Sequence, residues 1–510
     1  MRIETIEVSG FRAFPGDEPP YKISLGAQGK SLLLFGENGS GKSSLYKGLD
    51  LLLREHAPRD AFGAHQNVFH PSDDGSIAVT MNGGPVTSVR WGMAFDHPAQ
   101  QATAEFREMA RRSTFLDWHQ LLRTSLEHVG NDKVDIFHLL VDTLLRYADM
   151  PGGTVWEQFR EAWNKRESPP IAEGEDEAEE EFDAEEDRWE RLGTFCERLS
   201  EMLAMPGTGI LARANRFLGE WLEPGLTIAI DYVPRGQYPI PGAQEGAGMV
   251  TEGVRFILKC SYFGHEVQHP PLFLNEARLT AVAIALFLAG AEACTPVQEG
   301  KPRILVLDDI LIGLDMSHRI PVLKLLQQEF ADWQILLFTH DRVWYELARE
   351  YTKGSGDWAC YELMVMEAPP GTPPRPYLKQ GQDHLERARR LLNAPHGDLM
   401  AAAVHIRAWF EDLLKRKCEK YNLAVKYHVD PTKFKADDFW QALRDDTRPN
   451  KGAATKMGDA LINEVEMVRS KVLNKLSHSG TPTLVKAEVE AALELMPRLK
   501  AALDKPDQPC

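Results

Sequence analysis

Ser31-Leu32-Leu33-Leu34-Phe35-Gly36-Glu37-Asn38-Gly39-Ser40-Gly41-Lys42-Ser43-Ser44 is the stretch on which the fold of this 510-residue chain turns. Its first five residues are a short apolar run of the kind that forms a strand buried on both faces. Gly36 to Ser43 then spells G-x-x-x-x-G-K-S, a complete phosphate loop. Glycine tolerates the backbone conformations that turn consecutive N–H groups inward, so Gly36, Gly39 and Gly41, with Asn38 and Ser40, are the candidates for an anion nest. Ser43 and Ser44 open the helix that follows, read over residues 43–55 with Leu45, Leu49, Leu52 and Leu53 on one side. A helix N-terminus favours phosphate. Lys42 supplies the charge for the β- and γ-phosphates, and the Ser43 hydroxyl suits a Mg²⁺ shell.

A buried parallel strand presents its C-terminal end to the ligand crevice of an open α/β sheet. Ile304-Leu305-Val306-Leu307 is such a strand and ends in Asp308-Asp309. Asp308 is the candidate metal ligand, and Asp309 the group that orients or deprotonates water. Gly313-Leu314-Asp315 comes just after. Leu336-Leu337-Phe338-Thr339 ends the next strand at His340, which is placed to reach the γ-phosphate.

Outward from these motifs, alternating β and α segments occupy residues 1–95, the first lobe of a head domain. Strands are expected at 3–8 and in a hairpin, 76–81 with 86–91, around Asn82-Gly83-Gly84-Pro85. From 96 to 224 the pattern is helical, an insertion carrying an acidic linker. Residues 225–367 return to strands, at 226–233 and 254–262, followed by a long apolar helix at 275–293. They form the second lobe. Past the prolines at 369–370 and 373–374, residues 368–510 read as a separate helical domain. The expected architecture is a split α/β head with a helical insertion and a helical C-terminal domain.

The chain carries 75 acidic against 58 basic residues, a net charge of −17, and eleven of the acids fall between Glu173 and Asp187. Outside that run the balance is unremarkable, so the run reads as a solvated tether. Six scattered cysteines argue against a zinc ribbon, a redox pair or a disulfide framework. The first residues are charged where a signal peptide needs an apolar stretch. The most apolar window, 279–291, is too short to span a bilayer. A cytoplasmic protein without a membrane partner is expected.

In the C-terminal stretch, Trp409, Phe410, Leu413 and Leu414 form an apolar face beside a basic run, Lys415, Arg416, Lys417 and Lys420. That face either packs within the chain, against Met467, Val472 and Leu476, or holds two subunits together. With Arg111 and Arg112, the basic run supplies the cations a nucleic-acid partner would use. Arg469, Asn474 and His478 faintly resemble the helical R-x(4–6)-H motif of HEPN ribonucleases, but the spacing is too long for it.

Together the motifs resemble the ABC-type ATPases of the SMC/RecF group, over roughly residues 1–95 and 225–350. Val8-Ser9-Gly10-Phe11-Arg12-Ala13-Phe14 is similar to that group's opening strand and loop, which implies that Arg12 approaches the nucleotide. Asp308-Asp309 looks like its second acidic motif, with aspartate where the group has a catalytic glutamate. Gly313-Leu314-Asp315 looks like its D-loop, and His340 like its switch histidine. Leu274-Asn275-Glu276-Ala277-Arg278 stands where the signature motif belongs, without the serine-glycine-glycine of the group. Gln66 stands for the glutamine after the first lobe.

The resemblance implies ATP and Mg²⁺ as cofactors, hydrolysis to ADP and phosphate, and pairing of two heads around nucleotide. Asn275 and Glu276 would then meet the nucleotide of the partner subunit. The expected partners are a second copy of the chain, in a homodimer or higher oligomer, and an effector nuclease or toxin. The expected use is as the ATPase sensor or scaffold of a bacterial anti-phage system. A RecF-type DNA repair ATPase and an ATPase-controlled RNase toxin are the alternatives.

Overall fold

The computed structural model describes residues 1–16, 19–53, 59–83, 87–94, 104–121, 128–129, 133–146, 148–164, 177–205, 209–239, 249–366, 373–380, 384–393, 397–426, 435–449, 451–473 and 484–505. The chain divides into two compact units, Met1–Gly381 and Gln382–Cys510.

In the first unit, β1 (Arg2–Ser9) and β2 (Tyr21–Ser24) precede β3 (Ser31–Gly36) and α1 (Lys42–Leu53). β4 (Ser76–Asn82), β5 (Ser88–Gly92), α2 (Ala104–Arg111) and β6 (Ser113–Asp117) follow. Next come α3 (Val155–Asn164), α4 (Glu177–Ala204), α5 (Ile210–Phe217), β7 (Leu226–Val233) and β8 (Arg255–Tyr262). The long apolar helix α6 (Glu276–Cys294) leads to β9 (Ile304–Asp308), α7 (Met316–Glu329), β10 (Gln334–Thr339) and α8 (Arg342–Thr352). β11 (Trp358–Met366) and β12 (Arg375–Gln380) complete the unit.

The central sheet has the order β12-β11-β3-β10-β9-β6, parallel except for the edge strand β12. Its alternate residues face two different cores. Leu33, Phe35, Leu305, Leu307 and Leu337 join the core with α6, while Leu32, Leu34, Val306, Leu336 and Phe338 join the one beneath α1. Period-two alternation in a sheet covered on both faces requires this division. A second, antiparallel sheet of order β2-β1-β4-β5 covers the α1 side. The hairpin around Gly83 is present, although residues 84–86 lie outside the described residues.

Two sheet strands fall outside the lobes drawn from the sequence. β6 pairs in register with β9, Asp117 opposite Asp308, from within the stretch read as helical. Ser-Thr-Phe-Leu-Asp is short enough to suit either period, and the open edge of β9 decides it. β12, taken from the sequence as part of the C-terminal domain, pairs with β11 and belongs to the head. Of the acidic run, residues 177–187 are the first turns of α4, and 173–176 lie outside the described residues. By length and composition α6 is apolar enough to cross a membrane, longer than the sequence window suggested, yet 72% of its most apolar window is buried in the head.

The second unit is helical: α9 (His384–Asn393), α10 (Leu399–Lys420), α11 (Ala436–Arg444), α12 (Ala453–Val468) and α13 (Lys486–Asp504). Its core includes Phe410, Leu413, Leu414, Trp440, Val472 and Leu499, with Trp409 partly buried against it. The apolar face expected either to pack internally or to join two subunits is thus filled from within the chain. Met467 is not part of this core and is half exposed, and Leu476 lies outside the described residues.

Candidate active site

The phosphate loop leaves β3 at Gly36 and enters α1 at Lys42. A Cβ on Gly36 would overlap the Ser40 hydroxyl and come within 2.8 Å of the Leu363 carbonyl oxygen. Gly39 and Gly41 take φ of 83° and 106°, the region that glycine alone enters freely. A Cβ on Gly41 would also crowd Ala13 at 3.2 Å and the Phe14 ring at 3.3 Å. That close approach brings the Arg12 loop to the phosphate loop. Arg12 is exposed with φ of 48°. Two hydrogen bonds hold it there, its N–H donating to His65 O at 2.7 Å and its carbonyl accepting from Asn67 Nδ2 at 2.6 Å.

Lys42 is buried. Its ammonium donates to Gly36 O at 2.6 Å and lies 3.7 Å from Asp309 Oδ2. The Ser43 hydroxyl donates to Asp308 Oδ2 at 2.9 Å. This bond joins α1 to the end of β9, past the intervening strand β10. Among the described residues, Asp308 Oδ1 is buried with no hydrogen-bond partner. Burial, then the neighbouring Asp309 charge, push the Asp308 carboxyl up to about 7, against the pull of Ser43 and Lys42. A buried carboxylate with one oxygen unsatisfied, beside a serine hydroxyl, is an oxygen donor set that suits Mg²⁺.

Asp309 has φ of 53°, and its N–H donates to Phe338 O at 3.1 Å. Asp309 Oδ1 accepts the His340 backbone N–H at 2.8 Å and lies 2.9 Å from His340 Nδ1. One carboxylate oxygen is therefore fixed by His340, and the other faces Lys42.

Gln66 reaches this region through its backbone, in an isolated bridge with Phe11, while its side-chain amide donates to Ser72 O at 2.8 Å. Asn275 caps α6, accepting from the Arg278 N–H at 2.9 Å. Glu276 and Asp315 are exposed at the starts of α6 and α7. Among the described residues, no hydrogen bond or ion pair ties these three positions to the loop or to the acid pair. Asn38 is exposed on the loop, Ser40 is buried with its hydroxyl unpartnered, and Ser44 is half-buried in the first turn of α1.

Sequence reasoning missed several groups. Asp117 ends β6 beside Asp308 and adds to the charge that raises it. The likeness of Ser-Thr-Phe-Leu-Asp to Ile-Leu-Val-Leu-Asp was the available signal. Arg319 donates to Leu314 O at 2.9 Å and pairs with Asp341, which caps α8 through the Trp344 N–H. It thereby links the Gly313–Asp315 turn to the His340 strand end. Glu223 is buried, accepts from Arg278 Nε at 2.8 Å and lies 3.0 Å from His318 Nε2. No spacing in the sequence announces either link.

The cations considered for nucleic acid all have partners within the chain, Lys417 and Arg112 buried and Lys415, Arg416, Lys420 and Arg111 at the surface. Lys417 is buried and pairs with Asp504, Lys420 lies 3.9 Å from the same carboxylate, and Arg416 pairs with Asp412. Lys415 sits over the Phe439 ring. Arg111 pairs with Asp149, and Arg112 is buried against Glu108 and Pro296 O. Arg469 is buried in pairs with Asp437 and Glu466, and Asn474 and His478 lie outside the described residues.

A phosphate loop on β3, an acid pair on β9 and the histidine strand β10 between them define the class. In fold and in the order of these motifs, the first unit resembles a P-loop nucleotide-binding head of the ABC type. Among solved structures, the chain is similar over 76% of its length to the whole of an SMC head bound to the C-terminal winged-helix domain of ScpA, at 15% identity and TM-score 0.37. Over 77% it is similar to 98% of a Pyrococcus furiosus SMC head domain with an extended coiled coil, bound to the C-terminal domain of ScpA, at 14% identity and TM-score 0.40. Over 75% it is similar to 99% of the Thermotoga maritima SMC head domain, at 12% identity and TM-score 0.35. No protein family description and no curated protein matches the sequence.

Proposed function

We propose that this chain is a Mg-ATP-dependent ATPase whose heads pair around nucleotide. The observation that carries the reading is the meeting of α1 with two strand ends: Lys42 on Asp309, Ser43 on Asp308, and Asp309 held by His340. In this reading the loop N–H groups and Lys42 bind the phosphates, and Ser43 and Asp308 hold the metal. Mg²⁺, when bound, offsets charge developing on the transferred phosphoryl group. Asp309 orients the attacking water and takes its proton at a carboxylate oxygen. His340 fixes the other oxygen, so the carboxylate meets the water in one orientation. Asp309 is one methylene shorter than glutamate, which suits slow turnover.

Lys42→Ala abolishes hydrolysis and most binding. Asp309→Asn keeps ATP, loses turnover by about 10²–10⁴-fold, and sediments as a nucleotide-dependent dimer. Unchanged turnover in Lys42→Ala overturns the site, and a monomeric Asp309→Asn at saturating ATP overturns the pairing.

The biological use we put forward is as the ATPase sensor or scaffold of a bacterial anti-phage system, working with an effector nuclease or toxin in the cytoplasm. The short insertion and the separate helical C-terminal unit motivate it. Cells carrying the gene and its neighbours should resist phage, and the Lys42→Ala gene should not protect. Equal plaquing on all strains removes this use while leaving the ATPase reading intact.

A further inference from the structure

The N-terminal edge of the central sheet, opposite the phosphate loop, carries a cleft of about 450 Å³ that the ATPase reading does not use. Its walls are the turn around Gly26 and the loop after α8, with Lys30, Arg349, Lys353, Trp358 and Cys360 among the lining residues. β3 runs from Ser31 beside this cleft to Gly36 at the phosphate loop, so about 17 Å separate the two at about 3.3 Å per residue. Gly26 and Gly356 both have positive φ, and a Cβ on either would meet nothing within 4 Å, so the turns flanking the cleft leave it open.

Three cations from two segments converge here in a chain of net charge −17. Lys353 is paired with Glu350 at 3.1 Å. Among the described residues, Lys30 and Arg349 have no acidic partner; Arg349 lies 5.7 Å from the Tyr345 ring centroid. Complementing the C-terminal dipole of α8 accounts for Arg349 and Lys353. It does not account for Lys30, which comes from a different segment. Leu25 and Ala359, both buried, and the half-buried Trp358 give the wall an apolar side, with Ser24 and Thr352 adding hydroxyls. A cleft of this size suits a small organic ligand. Uncompensated Arg and Lys beside an aromatic wall match a phosphate joined to a flat ring.

We propose that this cleft binds a nucleotide phosphate, either a free nucleotide or one residue of a single strand, independently of the ATP site. The test uses the full chain at low salt, with Lys42→Ala alongside so that the phosphate loop is out of play. The probes are thymidine 3′,5′-bisphosphate, by equilibrium dialysis, and fluorescein-labelled decathymidylate, by anisotropy. Both proteins should bind at least one probe, and Lys30→Glu with Arg349→Ala should weaken it by about tenfold or more. Up to three phosphate contacts give a log–log salt slope of about −2 for the strand. Lys30→Ala, at an exposed position, carries the test should the double variant misfold, and Arg349→Lys should recover part of the affinity. Binding of the bisphosphate alone assigns a free nucleotide, and binding of the strand alone assigns nucleic acid. No binding of either probe, or binding unchanged by the substitutions, overturns the proposal. Loss of ATPase activity in Lys42→Ala bears only on the phosphate loop.

Discussion

Gly36 and Gly39 are both loop glycines, yet they answer to different constraints. At Gly36 a methyl group would collide with the Ser40 hydroxyl and with a backbone oxygen of β11 that has nowhere to go. At Gly39 space is open and only the positive φ resists substitution. Gly36→Ala should therefore lose ATP binding and cost about 1–3 kcal/mol through overpacking. Gly39→Ala should cost about 1–2 kcal/mol of backbone strain and keep measurable binding. Thermal melts with an ATP titration separate the two. His340 is a second residue whose effect is local. His340→Ala should leave ATP affinity nearly intact while lowering kcat, because it removes the imidazole from Asp309 Oδ1 while keeping the backbone N–H bond to that oxygen and leaving the loop untouched; an affinity loss matching that of Lys42→Ala contradicts this assignment.

Elements depend on their ends as much as on their faces. α6 is buried through most of its length, and Asn275 satisfies its first turn by accepting the Arg278 N–H. Asn275→Ala should cost about 0.5–2 kcal/mol and Asn275→Asp restore it, read by denaturant midpoints. Leu286→Ala, at a fully buried position, should cost about 2–5 kcal/mol.

In the second unit, Asp446 accepts the Ala453 N–H at 2.9 Å at the start of α12 and pairs with Arg448. The Arg448 hydrogen bond, with the others, holds the Asp446 carboxyl below its ordinary value. A lowered carboxyl contributes stability that is present above its unfolded pKa, about 3.9, and is lost as pH falls through the folded value. The melting difference between wild type and Asp446→Asn should hold steady from neutrality to about pH 4 and shrink below it. A difference that widens on acidification reverses the sign of this contribution.

At the scale of the whole molecule, the division after Gly381 sets where the chain can be cut. β12 lies before it, paired with β11, and its Lys379 lies 3.5 Å from the buried Glu362. Residues 1–381 should fold and bind ATP. Residues 1–374 remove β12, leave β11 as an unpaired edge and strip one cation from Glu362, so aggregation is expected. Size-exclusion profiles of the two truncations decide the point. Residues 382–510 contain their own core and should unfold cooperatively when expressed alone.

The chemistry was legible in the sequence because it resides in contiguous stretches. A phosphate loop needs eight adjacent residues between a strand and a helix, and Asp308, Asp309 and His340 each follow an apolar strand directly. Local physics therefore determined the loop, the acid pair, the central strands and the long buried helix. Only the tertiary structure decided that Asp117 stands beside Asp308, that Arg319 joins the turn after β9 to Asp341, and that β6 and β12 complete the sheet. It also decided that the basic run after Leu414 is engaged by Asp412, Asp504 and the Phe439 ring, and that the neighbouring apolar face is core. These partners are brought together by sheet order and helix packing, and neither sheet order nor the satisfaction of a buried charge is written at any fixed spacing along the chain.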